Sequence, residues 1–139
     1  MDLVCGAIGV QASQREAIDL AAAHGFESVG VNAGEIASMS DSEIEDLLGY
    51  LEEKGLVFGA AGLPVQFRED EETFRSGVKD LGAVAAALEK AGVTRMSTWI
   101  MPNHATRTYI ENFRLHASRL REVARILGDH GIRFGLEYV

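Results

Sequence analysis

Apolar residues recur along this chain in two alternating rhythms. One is a stripe spaced three and four apart, and the other is a short, continuous β-prone run. The stripes are Ile44, Leu47, Leu48 and Leu51; Phe74, Val78, Leu81, Ala85 and Leu88; and Phe113, Ala117, Leu120, Ala124 and Leu127. That spacing gathers apolar groups on one side of a helix, and the charged residues behind each narrow stripe predict helices packed outside a sheet. Ser13 with Glu16 and Ser40 with Glu43 have capping-box spacing, in which the hydroxyl serves a free N–H and the carboxylate reaches back. Gly25, Gly55, Gly92 and Gly131 close the helical stretches, because the left-handed exit from a helix suits a residue without a Cβ. The runs that follow them, 26–32, 56–61, 93–101 and 132–139, read as strands, and an earlier run at 3–10 supplies a first one. Their apolar residues do not alternate strictly, which predicts strands covered on both faces.

Strand and helix therefore alternate and close on a fifth strand, the pattern of parallel strands joined by right-handed crossovers. A doubly wound open sheet of this length normally ends in a helix covering its last strand. Here the sequence ends within an apolar strand, at Tyr138-Val139. Gly6-Ala7-Ile8-Gly9 also lacks the glycine spacing of a phosphate-cradling loop. The expected architecture is α/β of the (β/α)8 TIM-barrel type, which typically needs about 250 residues. The chain would be a partial barrel of the first five strands in sequential order, with its helices on the outer face and a single domain over 1–139.

Composition narrows the partners. The 139 residues carry a net charge of −8, which disfavours a nucleic-acid backbone or an anionic membrane surface. The one cysteine, Cys5, excludes an internal disulfide framework and fits a reducing, cytoplasmic setting. No apolar run approaches the roughly 20 residues of a membrane span, and the N-terminus lacks the basic start of a signal peptide.

In parallel α/β folds ligands sit beyond the carboxyl ends of the strands. That rule selects Asn32 and Glu35, Gln66 and Arg68, then Trp99, Asn103 and His104, and finally Glu137. Glu137 stands in the otherwise apolar Gly135-Leu136-Glu137-Tyr138-Val139. A carboxylate there is costly unless it is paired or metal-bound. It either faces water or pairs with Arg95 on the neighbouring strand, or it serves a hard divalent cation. His104 is either a proton shuttle or a loop cap, and Trp99 is either an apolar wall against a sugar or a filler of the barrel interior. His24 and His130 precede helix-ending glycines and His116 lies mid-helix, so all three read as structural. The run Glu69-Asp70-Glu71-Glu72 reads as a helix start favoured by the dipole, not as a metal cluster.

The segment Ser97-Thr98-Trp99-Ile100-Met101-Pro102, the Arg119-Leu120-Arg121 helix and the Asp129-His130-Gly131-Ile132-Arg133-Phe134-Gly135-Leu136-Glu137 unit resemble the xylose-isomerase-like TIM barrels. This is the sugar phosphate isomerase/epimerase group, which shares its fold with the endonuclease IV type of AP endonuclease. The resemblance implies that Glu137 is the fifth-strand glutamate that binds the catalytic divalent metal (manganese, magnesium, cobalt or zinc). It also implies that the remaining ligands come from later strands, leaving the site incomplete in this chain. Trp99, Asn103 and His104 become expected contacts of a small-molecule sugar or sugar phosphate. Where the endonucleases carry histidines, this chain has Gly62-Leu63-Pro64 and Trp99, which argues against a nuclease.

The expected function is the N-terminal part of a metal-dependent sugar (phosphate) isomerase or epimerase that transfers a proton through an enediolate, with Glu137 also catalytic. The alternatives are a non-catalytic half-barrel that assembles with another chain, and a related lyase or dehydratase on the same scaffold. Exposed sheet edges predict self-association.

Overall fold

A computed structural model describes all residues from Met1 to Val139. Its five strands are β1 (Asp2–Leu3), β2 (Ser28–Val31), β3 (Val57–Gly62), β4 (Arg95–Ile100) and β5 (Arg133–Tyr138). They form one parallel sheet in the order β1-β2-β3-β4-β5. Four successive right-handed crossovers in one direction place all the helices on the same face, as a partial barrel requires. The alternative, a doubly wound sheet whose order reverses, is excluded by this topology.

The helices are α1 (Gln14–Ala23), α2 (Ala33–Ala37), α3 (Asp41–Glu53), α4 (Glu71–Lys90) and α5 (Tyr109–Asp129). The two capping boxes read from the sequence are formed, and Thr108 with Glu111 makes a third at the start of α5. Asp70 caps α4 by accepting from the Thr73 N–H at 2.8 Å, as the helix-start reading of the acidic run predicts. The four glycines all have φ between 68° and 71°, where a side chain would be strained.

Three expectations are corrected. The first strand is two residues long, not eight, because Cys5–Ile8 turns into a 3₁₀ helix that leaves through the left-handed Gly9. Cys5 is thus in that turn and not in a strand. A short helix, α2, follows β2, started by Asn32, whose Oδ1 accepts from the Glu35 N–H. The strands are also not covered on both faces. In β4, Met96 is buried beneath the helices, while Arg95, Ser97 and Trp99 lie on the exposed face.

The core is a cluster of 25 buried apolar residues between the helices and the outer face of the sheet. Phe74, Leu81, Ala85 and Leu88 of α4 are completely buried in it. The α5 stripe is divided: Leu120 and Leu127 enter the core, whereas Phe113 stays 56% exposed. The reason is geometric. Helix α1 packs on β2 and α5 on β5, the strand after each, but no helix follows β5 within these residues. Phe113, Ala117 and Ala124 of α5 therefore face Phe134, Leu136 and Tyr138 across an open apolar groove of about 570 Å³. No helix is long and apolar enough to cross a membrane.

Candidate functional site

Parallel pairing runs unbroken through six residue pairs of β4 and β5, and it sets Trp99 directly beside Glu137. Partners in register share a face, so both side chains project from the inner, concave side at the carboxyl ends of their strands. Trp99 is 47% exposed and Glu137 is exposed. The open sheet leaves this face to water, so Glu137 meets no desolvation cost here. The expected pairing with Arg95 does not form: Arg95 is in register with Arg133, at the opposite end of the strands from Glu137.

The third component is Arg68. Its guanidinium lies 3.9 Å from the centre of the Trp99 ring and 4.2 Å from that of Phe67, and it donates to the Trp99 carbonyl. A cation over an indole face is attracted by the ring quadrupole. One face of Trp99 is thus already covered by the guanidinium.

Arg68 is held there by the segment that carries it. The Leu63 N–H donates to the Ser97 carbonyl at 2.9 Å, tying the end of β3 to β4. Val65 and Phe67 are buried on either side of Gln66, and Gly77 leaves room for Val65 to press against α4. Arg119, buried on α5, donates to the carbonyls of Phe67 at 2.9 Å and Glu69 at 2.6 Å, and to Glu71 at 2.8 Å. Phe67 also receives the His116 ring edge-on, at 5.2 Å between centroids. Burial, together with the positive charges of Arg68, Arg107, Arg119 and His104, holds the His116 imidazole below its ordinary range.

The other sequence candidates separate into structural and open positions. His104 Nδ1 accepts from the backbone N–H groups of Thr106 at 3.2 Å and Arg107 at 3.3 Å, so this ring organises the turn before α5. Only its Nε2 edge remains for a ligand. Asn103 is exposed in the same loop, and Gln66 is exposed beside Phe67. Asn32 and Glu35 belong to a clamp between β2 and α1. The buried Gln14 amide donates to the Gly30 carbonyl at 3.0 Å and accepts from the Asn32 N–H at 2.7 Å. Glu35 in turn accepts from the Gln14 N–H at 2.8 Å.

No three His, Cys, Asp or Glu side chains converge anywhere in the chain. Glu137 offers a metal one carboxylate and no second donor, so the residues present do not by themselves hold a divalent ion. Trp99 and Glu137 are brought together, Asn103 and His104 lie in the loop following β4, and Arg68 joins the first pair. The sequence placed Arg68 at the correct end of a strand but gave it no role, because its stacking partner is distant along the chain.

The solved structures that this chain resembles share its architecture. A xylose isomerase domain protein from Alicyclobacillus acidocaldarius superposes with a TM-score of 0.78 at 24% identity, over 99% of this chain and 49% of that one. The IOLI protein with a bound zinc atom gives 0.77 at 15% identity, over 99% of this chain and 51% of that one. A D-psicose 3-epimerase crystallised in the presence of D-fructose gives 0.72 at 16% identity, over 96% and 50%. The chain thus spans about half the length of these proteins, and at such identities the likeness establishes the fold alone. No curated protein matches the sequence. The family model described as xylose isomerase-like TIM barrel matches residues 18–139. With that match over most of its length, the chain belongs to the xylose isomerase-like TIM barrel family.

Proposed function

We propose that this chain is the N-terminal part of a cytoplasmic isomerase or epimerase that acts on a sugar or sugar phosphate by proton transfer through an enediolate. The observation that carries the reading is the in-register pair of Trp99 and Glu137 on the concave face, at the ligand end of a family fold. Relatives crystallised with zinc or in the presence of a ketose support the substrate class and a divalent metal. Glu137 supplies one ligand to that metal, which would be manganese, magnesium, cobalt or zinc, and the other donors lie outside these residues. Trp99 gives the substrate an apolar wall, and Asn103 and the Nε2 edge of His104 offer hydrogen bonds to its hydroxyls. Orientation of the substrate against Glu137 is what this half contributes; alone, it lacks the converging groups that positioning and charge stabilisation need.

The test compares the 139-residue chain with a version extended through later strands of the family fold. Each is assayed for turnover of a panel of ketoses and ketose phosphates with each metal. The extended protein should turn over at least one ketose, its Glu137→Gln variant should lose metal-dependent activity while keeping its fold, and the short chain should be inactive. Robust turnover by the short chain, or full activity in the extended Glu137→Gln variant, would overturn the assignment. The groove beside β5 favours a second reading, a half-barrel completed by another chain, and inactivity of every extended version would favour it.

A further inference from the structure

The open edge of the sheet at β5 carries a pattern of its own. Arg133 and Val139 donate their N–H groups to the carbonyls of Thr94 and Ile100, so the odd-numbered residues of β5 direct their backbone groups at β4. In a parallel pair the intervening residues point the other way. Phe134 and Leu136 therefore present N–H and C=O to an edge that no strand covers. The side chains divide as cleanly. Arg133, Gly135 and Glu137 share the concave face with Arg95, Ser97 and Trp99, their partners in register. Arg133 and Glu137 are both exposed, and neither takes part in an ion pair of the protein. On the outer face, Phe134, Leu136 and Tyr138 line the apolar groove beside α5.

This strand is complementary to itself. Turned about a two-fold axis at Gly135 and laid antiparallel, β5 sets Arg133 opposite Glu137 of a second copy, and Glu137 opposite that copy's Arg133. Phe134 meets Leu136 across the same axis as a pair that exchanges both backbone hydrogen bonds. Arg133 and Glu137 fall at the positions between, where opposed Cα atoms stand about 4.5 Å apart and side chains come closest. A slide by two residues is the smallest that keeps both the faces and the hydrogen bonds. It leaves one of the two charges opposite Gly135 and the other beyond the end of the strand. Charge therefore selects a single register.

The helices fit the same arrangement. Helix α5 lines the groove together with Ile100 of β4 and with Phe134 and Leu136 of β5, so it lies over that strand pair. Adjacent strands are about 4.8 Å apart, which places the two α5 helices about 9.6 Å from each other across the axis. Packed helices stand about 8–10 Å apart, so each α5 covers the groove of the other copy. We propose that β5 is the dimerisation strand of this 139-residue chain: two copies join edge to edge, antiparallel about Gly135, with Arg133 of each paired to Glu137 of the other. The opposite edge does not compete. Strand β1 has two residues against six in β5, and a β1-to-β5 contact repeats head to tail without closing. In a version extended beyond β5 the following strand takes this edge instead, so the dimer belongs to the short chain and does not rest on the proposed activity.

Sedimentation equilibrium of the 139-residue chain tests the pairing, and a monomer–dimer equilibrium with nothing larger is expected. Arg133→Glu sets carboxylate against carboxylate at both ion pairs, and Glu137→Arg sets guanidinium against guanidinium. Each variant should weaken dimerisation by about tenfold or more. Mixed in equal amounts, the two variants place opposite charges at both positions again and should associate as the original chain does. The double variant, with the charges exchanged, should dimerise by itself. Both positions are exposed, and far-UV circular dichroism checks that each variant is folded. A monomeric parent chain, an assembly larger than a dimer, single variants that dimerise undiminished, or folded variants that stay apart on mixing would each overturn the inference. Turnover by an extended protein tests the proposed function separately and leaves the dimer untouched.

Discussion

Replacing Arg119 by Met tests how the segment carrying Arg68 is fixed. Methionine keeps much of the apolar stem, including the packing that now sets the guanidinium 4.7 Å from the Phe74 ring centre. It removes the donors to the carbonyls of Phe67 and Glu69, which lie on the loop between β3 and α4. Hydrogen bonds from a charged donor contribute about 1.5–3 kcal/mol each, so the two together come to about 3 kcal/mol at the lower end. The bond to Glu71 adds little, because that carboxylate is 61% exposed and solvent screens the pair. Arg119→Met should therefore lose about 3 kcal/mol in urea unfolding with an unchanged slope. Its Trp99 emission should also shift, since Arg68 is no longer held over the indole. Arg119→Lys, which retains the charge without the planar fork, should fall between the two. A loss below about 1 kcal/mol with unaltered emission would show that the two carbonyls find water at no cost, and the bracing role assigned to Arg119 would be wrong.

Stability should decline with acid in two stages. His116 has a folded proton affinity lowered by burial and then by the surrounding positive charges, from an ordinary value of 6.5. Below that value the unfolded chain binds a proton that the folded one resists, so stability falls as the pH falls toward the lowered value. Glu71, held down first by its hydrogen bond from Arg119 and then by that from Arg75, is stabilising above the ordinary 4.5, and this contribution is lost as the pH drops through its folded value. Melting temperatures between pH 7.5 and 3 (roughly the span of these groups) read both stages, and His116→Gln should flatten the first; an unchanged upper stage in that variant would refute its assignment. Self-association is the expected outcome of the unpaired edges of β1 and β5 and of the groove beside α5. Light scattering at tens of micromolar should show species larger than a monomer, and Leu136→Lys should reduce their mass. A monodisperse monomer would count against this expectation.

Most of the architecture was legible because each helix carries its own start and stop in the sequence. Ser40 with Glu43 and the glycine at 55 delimit α3 without reference to anything distant. What escaped was either too short for a period or set by missing neighbours. Helix α2 has five residues, too few to show a stripe, and only the Asn32 to Glu35 spacing marks it. The 3–10 run looked like a strand because its apolar residues outweighed Gly6 and Gly9, whose freedom lets the backbone turn instead. Apolar density in the strands suggested cover on both sides, yet the inner face is open, since closing it takes strands beyond β5. The site divides in the same way. Glu137 is conspicuous in its strand, and the repeat places it at the ligand end. Its neighbour Trp99 follows from register, but the stacking of Arg68 on Trp99 joins residues 31 positions apart and leaves no local trace.

The sequential strand order also bears on synthesis. As the chain leaves the ribosome, each new strand finds its partner already made: β2 pairs with β1, β3 with β2, β4 with β3, and β5 with β4. No strand has to wait, unpaired, for one not yet translated, as an inner strand must when the order reverses. Each intervening helix can dock on the strand pair formed just before it, so the closing loops remain short along the chain and their entropic cost is met in small steps. Growth of the sheet in the direction of translation keeps one edge, always the newest, open at any moment besides β1. Assembly is therefore vectorial, and the edge most exposed to wrong pairing is the one that the next few dozen residues are about to cover.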